Sequence, residues 1–468
     1  MSGERIERDA LGEVRVPAEA YYGAETVRAV ENFKISGRKP RPELIRALAE
    51  VKVAAARANR AVGALPADVA DAIARSAEEV AGGELAEEFL VDPYQAGAGT
   101  STHMNVNEVV ANRAEELLGG SEGKAPERGS HDRVHPNDHV NAGQSSNDVF
   151  PTAVRIAVLE QLPPVLEALD ELIDAFEERA AAFADVVKAG RTHLQDALPV
   201  TLGSEFGAYA EMLRRARQRV VSTAEERLAR VPLGGTAIGT GFGAAPGYRE
   251  RALEELRAVT GLPLTGAENL LEAVRNLGDL GDFAGALKSL AVAVTQICND
   301  LRMLSMGPRT GLAEFSLPEV QPGSSIMPGK VNPSIVEMVN MVCLRVIGAE
   351  QTVSLAVAAG QLDMSVMTPL IADELLEVET LLANGLRTLA ERCVAGIEAN
   401  VERDRGYAEA SLAMATALRP ALGYDRAAEL AMEAHRTGKT LREVVESSGA
   451  LEGDDAKEIL DPGRSTGI

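Results

Sequence analysis

At 468 residues the chain is too long for one compact core, so two or three domains are expected. A formal charge of -23 excludes a nucleic-acid binder, which needs a basic face, and fits a solvated acidic surface. Aromatic residues make up only 3%, tryptophan is absent, and alanine, leucine, glutamate and arginine dominate, a composition that favours helix.

The chain opens with MSGERIERDALGEV, which is charged and lacks a signal-peptide core. No apolar stretch reads as both long enough and free enough of charge to cross a membrane. Cys298, Cys343 and Cys393 are widely spaced and odd in number, so no disulfide framework is expected and the setting reads as cytoplasmic. Residues 42–90 alternate helical patterns with short turns, and GGSEGKAPERGSHDR (119–133) reads as an exposed loop. From Leu159 through Leu162, Leu166, Leu169 and Ile173 to Phe176, apolar residues recur every three or four positions, the signature of one helix face. Pro163 and Pro164 interrupt that pattern and predict a kink or a break. Helical patterns also cover 203–230, 267–305 and 334–358. The last is apolar nearly all round, which predicts burial on every side within a bundle shared between subunits. Strand signal is weak, limited to extended connectors near 13–22 and 231–242. Shorter helices broken by Pro420 and Gly423 follow residue 400, and the final DPGRSTGI reads as frayed. The expected class is mainly α, with an N-terminal, mostly helical domain over 1–144, a long-helix domain over 145–400 and a small helical domain over 401–468.

Four stretches combine glycine with small polar residues beside long helices: GAGTSTHMN (97–105), GQSSND (143–148), GRTHLQD (190–196) and GSSIMPGKVNP (323–333). Each is expected at a helix start, where unpaired N–H groups and the helix dipole attract anions. One such stretch is ordinarily only a cap. Four of them, with a lysine and a histidine, point to a site for a small anion. In the last stretch Gly323 and Gly329 permit unusual backbone, Pro328 and Pro333 stop helix, Lys330 offers charge to a carboxylate, and Asn332 offers donors and an acceptor. Such a segment reads as a lid, or more blandly as a flexible interhelical loop. A serine there, Ser324 or Ser325, can act as a base only where N–H donors stabilise its alkoxide. No cluster has metal-ligand spacing.

GSSIMPGKVNP resembles the signature of the fumarase and aspartase superfamily, in the branch of class II fumarases and aspartate ammonia-lyases. YYGAETVRAVENF (21–33), the stretch at 97–107, HPNDHVNAGQSSND (135–148), GRTHLQDALP (190–199) and GGTAIGTG (234–241) follow in family order. The resemblance implies a three-domain helical lyase with a central bundle built from four subunits. It implies active sites where three subunits meet, and anti elimination from a 2-substituted succinate to give fumarate, without a cofactor or metal. On this resemblance Ser324 is the general base and Ser325 helps hold the resulting dianion. Lys330 and Asn332 bind one carboxylate. Thr100, Ser101, Ser145, Ser146, Asn147 and Thr192 serve the other carboxylate and the leaving group, and His193 is paired with Glu337. His135 is similar to a secondary anion-binding loop of fumarases. Within the family, YYGAETVRAVENF, GAGTS and AGQLDMSVMTP (359–369) favour an aspartase, and SSND (145–148) favours a fumarase. His103, Gly243 and Ser365 stand where the family usually has asparagine. These departures keep open a lyase for another nitrogen-substituted succinate. A purely structural role, as in lens-crystallin relatives, is the remaining alternative, and the retained serine, lysine and histidine speak against it.

Overall fold

The computed structural model describes residues 3–119 and 127–467. In chain order its elements are β1 (Glu4–Asp9), β2 (Gly12–Pro17), α1 (Ala24–Asn32), α2 (Pro42–Ala61), α3 (Ala67–Ala81), α4 (Thr100–Leu118), α5 (Ser146–Ala182), β3 (Val187–Thr192), β4 (Gln195–Thr201) and α6 (Leu202–Thr223). There follow β5 (Arg230–Val231), α7 (Tyr248–Thr260), β6 (Thr265–Gly266), α8 (Leu270–Arg275), α9 (Gly278–Leu304), β7 (Phe315–Ser316), α10 (Ser334–Ala358) and α11 (Thr368–Arg392). β8 (Glu398–Ala399), α12 (Val401–Ala410), α13 (Ala415–Leu422), α14 (Tyr424–Thr437), α15 (Leu441–Ser448) and α16 (Gly453–Ile459) complete the chain. The fold is mainly α.

The chain forms two compact units: residues 1–165, 218–291 and 344–382, and residues 166–217, 292–343 and 383–468. In the first, α2 packs on α3 and α7, and α3 on α4. Small residues make this close approach possible: Ala47, Ala54, Ala55 and Ala58 on α2 are fully buried beside Leu48 and Val51. The antiparallel β1–β2 hairpin packs on α1, so the extended segment expected near 13–22 is a paired strand.

In the second unit, Phe206 of α6 lies at the centre of an aromatic core, with ring centroids of Phe176, Phe183, Tyr209 and Phe315 5.5–5.8 Å away. β3 and β4 form a hairpin that the sequence patterns missed. Its stem is tied by fully buried Glu314, which pairs with Lys188 Nζ at 2.9 Å and with Arg191, while Lys188 also reaches Glu205 at 2.7 Å. The helices after residue 400 close a satellite core around Leu418, Leu430, Leu441 and Val445. The expected fraying at the end does not occur over 461–467: Pro462 is buried, and the segment packs on β4 and α12.

Two further expectations need correction. α5 runs unbroken through Pro151, Pro163 and Pro164. Pro163 and Pro164 are exposed, while buried Leu162, Val165 and Leu169 hold the helix from the other side. α5 and α10 are both long and apolar enough to cross a membrane by length and composition. They differ in burial, 67% of the apolar window for α5 against 28% for α10. Within one protomer, Met341, Leu344 and Leu355 of α10 are each at least 64% exposed; the burial on every side was expected of a bundle shared between subunits. Of the loop expected over 119–133, residues 120–126 lie outside the described residues; beyond them Gly129 N donates to Asn112 Oδ1 at 2.7 Å and Val134 N to Glu115 Oε1 at 2.7 Å. All three cysteines are buried and free.

One half-buried carboxyl pair gives a pH signature. Burial, then the neighbouring Glu160 carboxylate, pushes the Glu50 carboxyl up to about 8. The folded chain thus keeps a proton that the unfolded chain releases near the ordinary glutamate value, and stability falls as pH rises from about 4.5 to about 8. Glu50→Gln is expected to stabilise the protein by about 1 kcal/mol near pH 8.5, after discounting for partial exposure, and to be neutral near pH 4. Urea unfolding at the two pH values checks this; equal effects at both would remove the shared proton.

Candidate functional site

Within the first unit, the starts of α4 and α5 meet. Gly99 takes φ +76 just ahead of α4, and a Cβ there would lie 2.3 Å from the Phe150 ring, so only glycine lets the loop enter this tightly. Thr100, exposed, and Ser101, half-buried, occupy the first turn of α4. Ser146 and Asn147 open α5, with Ser145 just before it. Asn147 Nδ2 donates to Ala237 O at 2.7 Å, and Asn147 N donates to Ser145 Oγ at 3.2 Å.

Beneath these hydroxyls lies a buried polar network that the motifs did not reveal. Fully buried His103 places Nδ1 2.8 Å from Ser146 Oγ and Nε2 2.6 Å from the Nζ of fully buried Lys52. Lys52 Nζ also donates to Gln144 Oε1 at 2.8 Å and to Asn141 Oδ1 at 3.2 Å. Burial holds both Lys52 and His103 well below their ordinary values, with the mutual effect of the Lys52 charge adding to the depression of His103. Asp148, also fully buried, accepts from the backbone N–H of Ser145, Gly234 and Thr236 at 2.9–3.0 Å. Burial pushes its carboxyl up to about 6, against the pull of those donors and of Lys52. Thr236 sits at φ 55, a strained value for a β-branched residue that its bond to Asp148 helps to maintain.

Of the three positions that depart from asparagine, His103 thus belongs to this network. Ser365 is buried with its Oγ unpartnered. Gly243 is exposed at φ +87, with nothing near the place a Cβ would occupy. His135 caps the short helix Pro136–Val140, its Nδ1 accepting from Asn137 N and Asp138 N at 3.2 Å.

Within the second unit, the stretch 190–196 is not the helix start that was expected. It is the β3–β4 turn, with Thr192 paired to Gln195 and His193 and Leu194 at φ 54 and 59, a type I′ pattern. His193 therefore projects from the tip of a hairpin held by buried ion pairs, and is exposed. Glu337, in the first turn of α10, lies 3.8 Å from Arg302. The loop 323–333 folds on itself. Gly323 N donates to Lys330 O at 2.8 Å, and Asn332 Nδ2 donates to Gly323 O at 2.5 Å. Gly323 is obligatory, since a Cβ would lie 2.5 Å from Asn332 N. Lys330 Nζ donates to Asn332 Oδ1 at 2.6 Å, which pairs the charged group with the amide. Ser324 Oγ is half-buried and accepts from Met327 N at 2.9 Å and Ile326 N at 3.2 Å, while Ser325 is exposed. Two N–H donors on one hydroxyl oxygen favour its anionic form.

A mainly helical chain that presents hydroxyls, amides, a lysine and a histidine from helix starts and tight loops is built to handle small anions. Residues 12–348 match the Lyase family, and residues 414–466 match the fumarase C C-terminus family. The chain is 47% identical to an aspartate ammonia-lyase of Pseudomonas aeruginosa over 99% of this chain and 97% of that one. It is 46% identical to a class II fumarate hydratase of Myxococcus xanthus over 99% and 98%. A crystal structure of a fumarate lyase:delta crystallin from Brucella melitensis superposes with a TM-score of 0.95 at 49% identity, covering 99% of this chain and 100% of that one. The chain belongs to the fumarase/aspartase superfamily of lyases.

Proposed function

We propose that the chain is an aspartate ammonia-lyase, a carbon–nitrogen lyase that eliminates ammonia from L-aspartate to give fumarate. The observation that carries this reading is the Ser324 hydroxyl, which accepts two backbone N–H groups inside a loop that also holds Lys330 and Asn332. Ser324 takes the C3 proton, and Ser325 with the loop N–H groups stabilises the dianion that results. Lys330 and Asn332 hold the carboxylate next to that carbon. Thr100, Ser101, Ser145, Ser146 and Asn147 receive the second carboxylate and the amino group, assisted by Thr192. His193, oriented by Glu337 in the assembled protein, completes the anion site. High identity to curated aspartate ammonia-lyases over nearly the whole length supports the choice of leaving group.

The active form we propose is a homotetramer whose sites draw residues from three subunits, operating in the cytoplasm. The exposed apolar face of α10 supports it, because Met341, Leu344 and Leu355 require cover that the protomer does not supply. A class II fumarate hydratase is the second reading, favoured by Ser145–Ser146 in SSND and by relatives of that name at 44–46% identity. Purified protein given L-aspartate and, separately, L-malate distinguishes them by the rise in fumarate absorbance. Lys330→Ala is expected to raise KM about 10- to 100-fold with a smaller change in kcat, as the loss of a charged carboxylate contact does. An unchanged KM would leave Lys330 merely solvated.

A further inference from the structure

Asp404 stands in VERDRGYAEA, a run that reads as a solvated helix face. On α12 it is nevertheless fully buried, one turn from buried Ala408, while Glu402 and Arg405 are exposed. Neither of its carboxyl oxygens has a hydrogen-bond partner among the described residues. α12 packs on β3, whose Lys188 and Arg191 face Asp404. Both cations are already taken. Lys188 Nζ lies 2.9 Å from Glu314, just before β7, and 2.7 Å from Glu205 on α6, and Arg191 pairs with Glu314. Asp300 of α9, which accepts from the Tyr209 hydroxyl of α6 at 3.3 Å, also draws on Lys188. The other charges around α12 are engaged elsewhere: Arg403 donates to Pro308 O at 2.7 Å, Arg405 pairs with Glu409, and Arg464, on the turn Pro462–Ser465 that packs on α12, pairs with Glu458. Glu205, Glu314 and Asp404 thus share two cations, and Asp404 is the carboxylate left out. Ionised, it is a buried charge without a counter-ion; protonated, it carries a much smaller penalty. Burial, then the Glu314 carboxylate, pushes it up to about 7 against the pull of Lys188 and Arg191.

α12 braces the β3–β4 hairpin from both strands. Arg191 of β3 lies over the Tyr407 ring, 5.5 Å from its centroid, and Tyr407 donates to Leu312 O at 3.2 Å. Just past the helix, Ser411 Oγ donates to Ala197 O of β4 at 3.2 Å. Asn400 N, at the start of α12, donates to Glu314 O at 2.8 Å, which joins the brace to the residue that ties the stem. A charge appearing at Asp404 repels Glu314 and competes for Lys188 and Arg191, the pairs that hold the hairpin below His193.

We propose that Asp404 is a positioning residue: holding a proton, it keeps α12 seated on the β3–β4 hairpin and His193 in place, and its ionisation sets an alkaline limit on activity. The proposal rests on the lyase reading in which His193 belongs to the anion site. The folded chain keeps a proton that the unfolded chain releases near the ordinary aspartate value of 3.8, so this contribution to stability is complete below that value and is lost as pH rises through about 7.

The test uses the full-length protein and Asp404→Asn, which keeps nearly the same shape and carries no charge at any pH. kcat/KM for L-aspartate and for L-malate is followed in both proteins from about pH 6 to about pH 8.5, so that ionisations of the substrate and of other groups cancel in the ratio. Wild type is expected to lose at least about fivefold relative to Asp404→Asn across that range, chiefly through KM, because the anion site loses a ligand. A ratio that does not change with pH would make Asp404 merely structural and overturn the proposal. A second measurement needs no variant: hydrogen exchange of wild type, read on residues 187–201 with α14 as the control. After correction for the intrinsic pH dependence of exchange, hairpin protection is expected to fall at least about tenfold as pH rises through about 7, with α14 unchanged. Equal hairpin protection on both sides of that pH overturns the proposal. Silence toward both substrates overturns the lyase reading, and the exchange measurement then decides the role of Asp404 in the hairpin by itself.

Discussion

Ser324→Ala is expected to lower kcat for elimination by about 10²–10⁴-fold while the protein stays folded. A serine hydroxyl is a poor base unless its alkoxide is held by donors placed in advance. Here Met327 N and Ile326 N supply two, at 2.9 and 3.2 Å. The loop that fixes them is closed by Gly323 N to Lys330 O at 2.8 Å and by Asn332 to Gly323, so the donors do not wait on substrate for their placement. Removing Oγ leaves this frame intact, because the bonds that close the loop do not involve Ser324. The change is therefore confined to chemistry, and KM is expected to move little. The same loop exposes Ile326 and Met327, 83% and 50% accessible. Burying them on substrate binding would exclude water around the alkoxide, where hydrogen bonds to charge gain strength. Residual activity within tenfold of wild type would remove Ser324 from the role of base.

The long helices were legible in the sequence because their cores repeat every three or four residues, and the observed spans Gly278–Leu304 and Ser334–Ala358 follow that repeat closely. The β3–β4 hairpin was not legible. Its strands lack a clean alternation of apolar and polar residues, and its turn is His193–Leu194 rather than an asparagine–glycine pair. What holds it is remote in sequence: Glu314 reaches back to Lys188 and Arg191. The candidate site divides in the same way. Ser324, Lys330, Asn332 and Ser146 lie in stretches crowded with turn formers and polar groups, and composition alone marks them. Lys52 stands in VKVAAARA, an apolar helical run in which one lysine reads as a solvated face residue. Its partner His103 is 51 positions away, so no local pattern joins them. Asp148 was present in SSND, yet its bonds to Gly234 and Thr236 span more than 80 positions. Buried polar groups are specified by contacts between distant segments, and a single sequence does not display those contacts.

Asp148 gives the second large expected effect. Its carboxylate collects the N–H groups of Ser145, Gly234 and Thr236, from two segments far apart in sequence. Asp148→Ala leaves those donors buried without an acceptor, at about 1–3 kcal/mol each, and is expected to destabilise the protein by about 3–5 kcal/mol in total. Asp148→Asn keeps one acceptor oxygen but turns an amide NH2 toward at least one backbone N–H, so about half that loss is expected. Catalysis should fall further than folding accounts for. Ser145 precedes Ser146, and Ser146 is the end of the chain from Lys52 and His103, so loosening the loop displaces the hydroxyl presented to substrate by a fraction of an ångström or more. Near-attack geometry tolerates little of that, and kcat/KM of the folded fraction is expected to drop about 100-fold. Denaturant unfolding paired with kinetics on the same sample separates the two effects. A loss below about 1 kcal/mol in Asp148→Ala would mean that water replaces the carboxylate at all three donors. Unchanged kcat/KM per folded molecule would mean that the Ser145–Ser146 loop keeps its position without the anchor. Either result would relocate the rigidity of this half of the site to the His103 network and the Asn147–Ala237 bond.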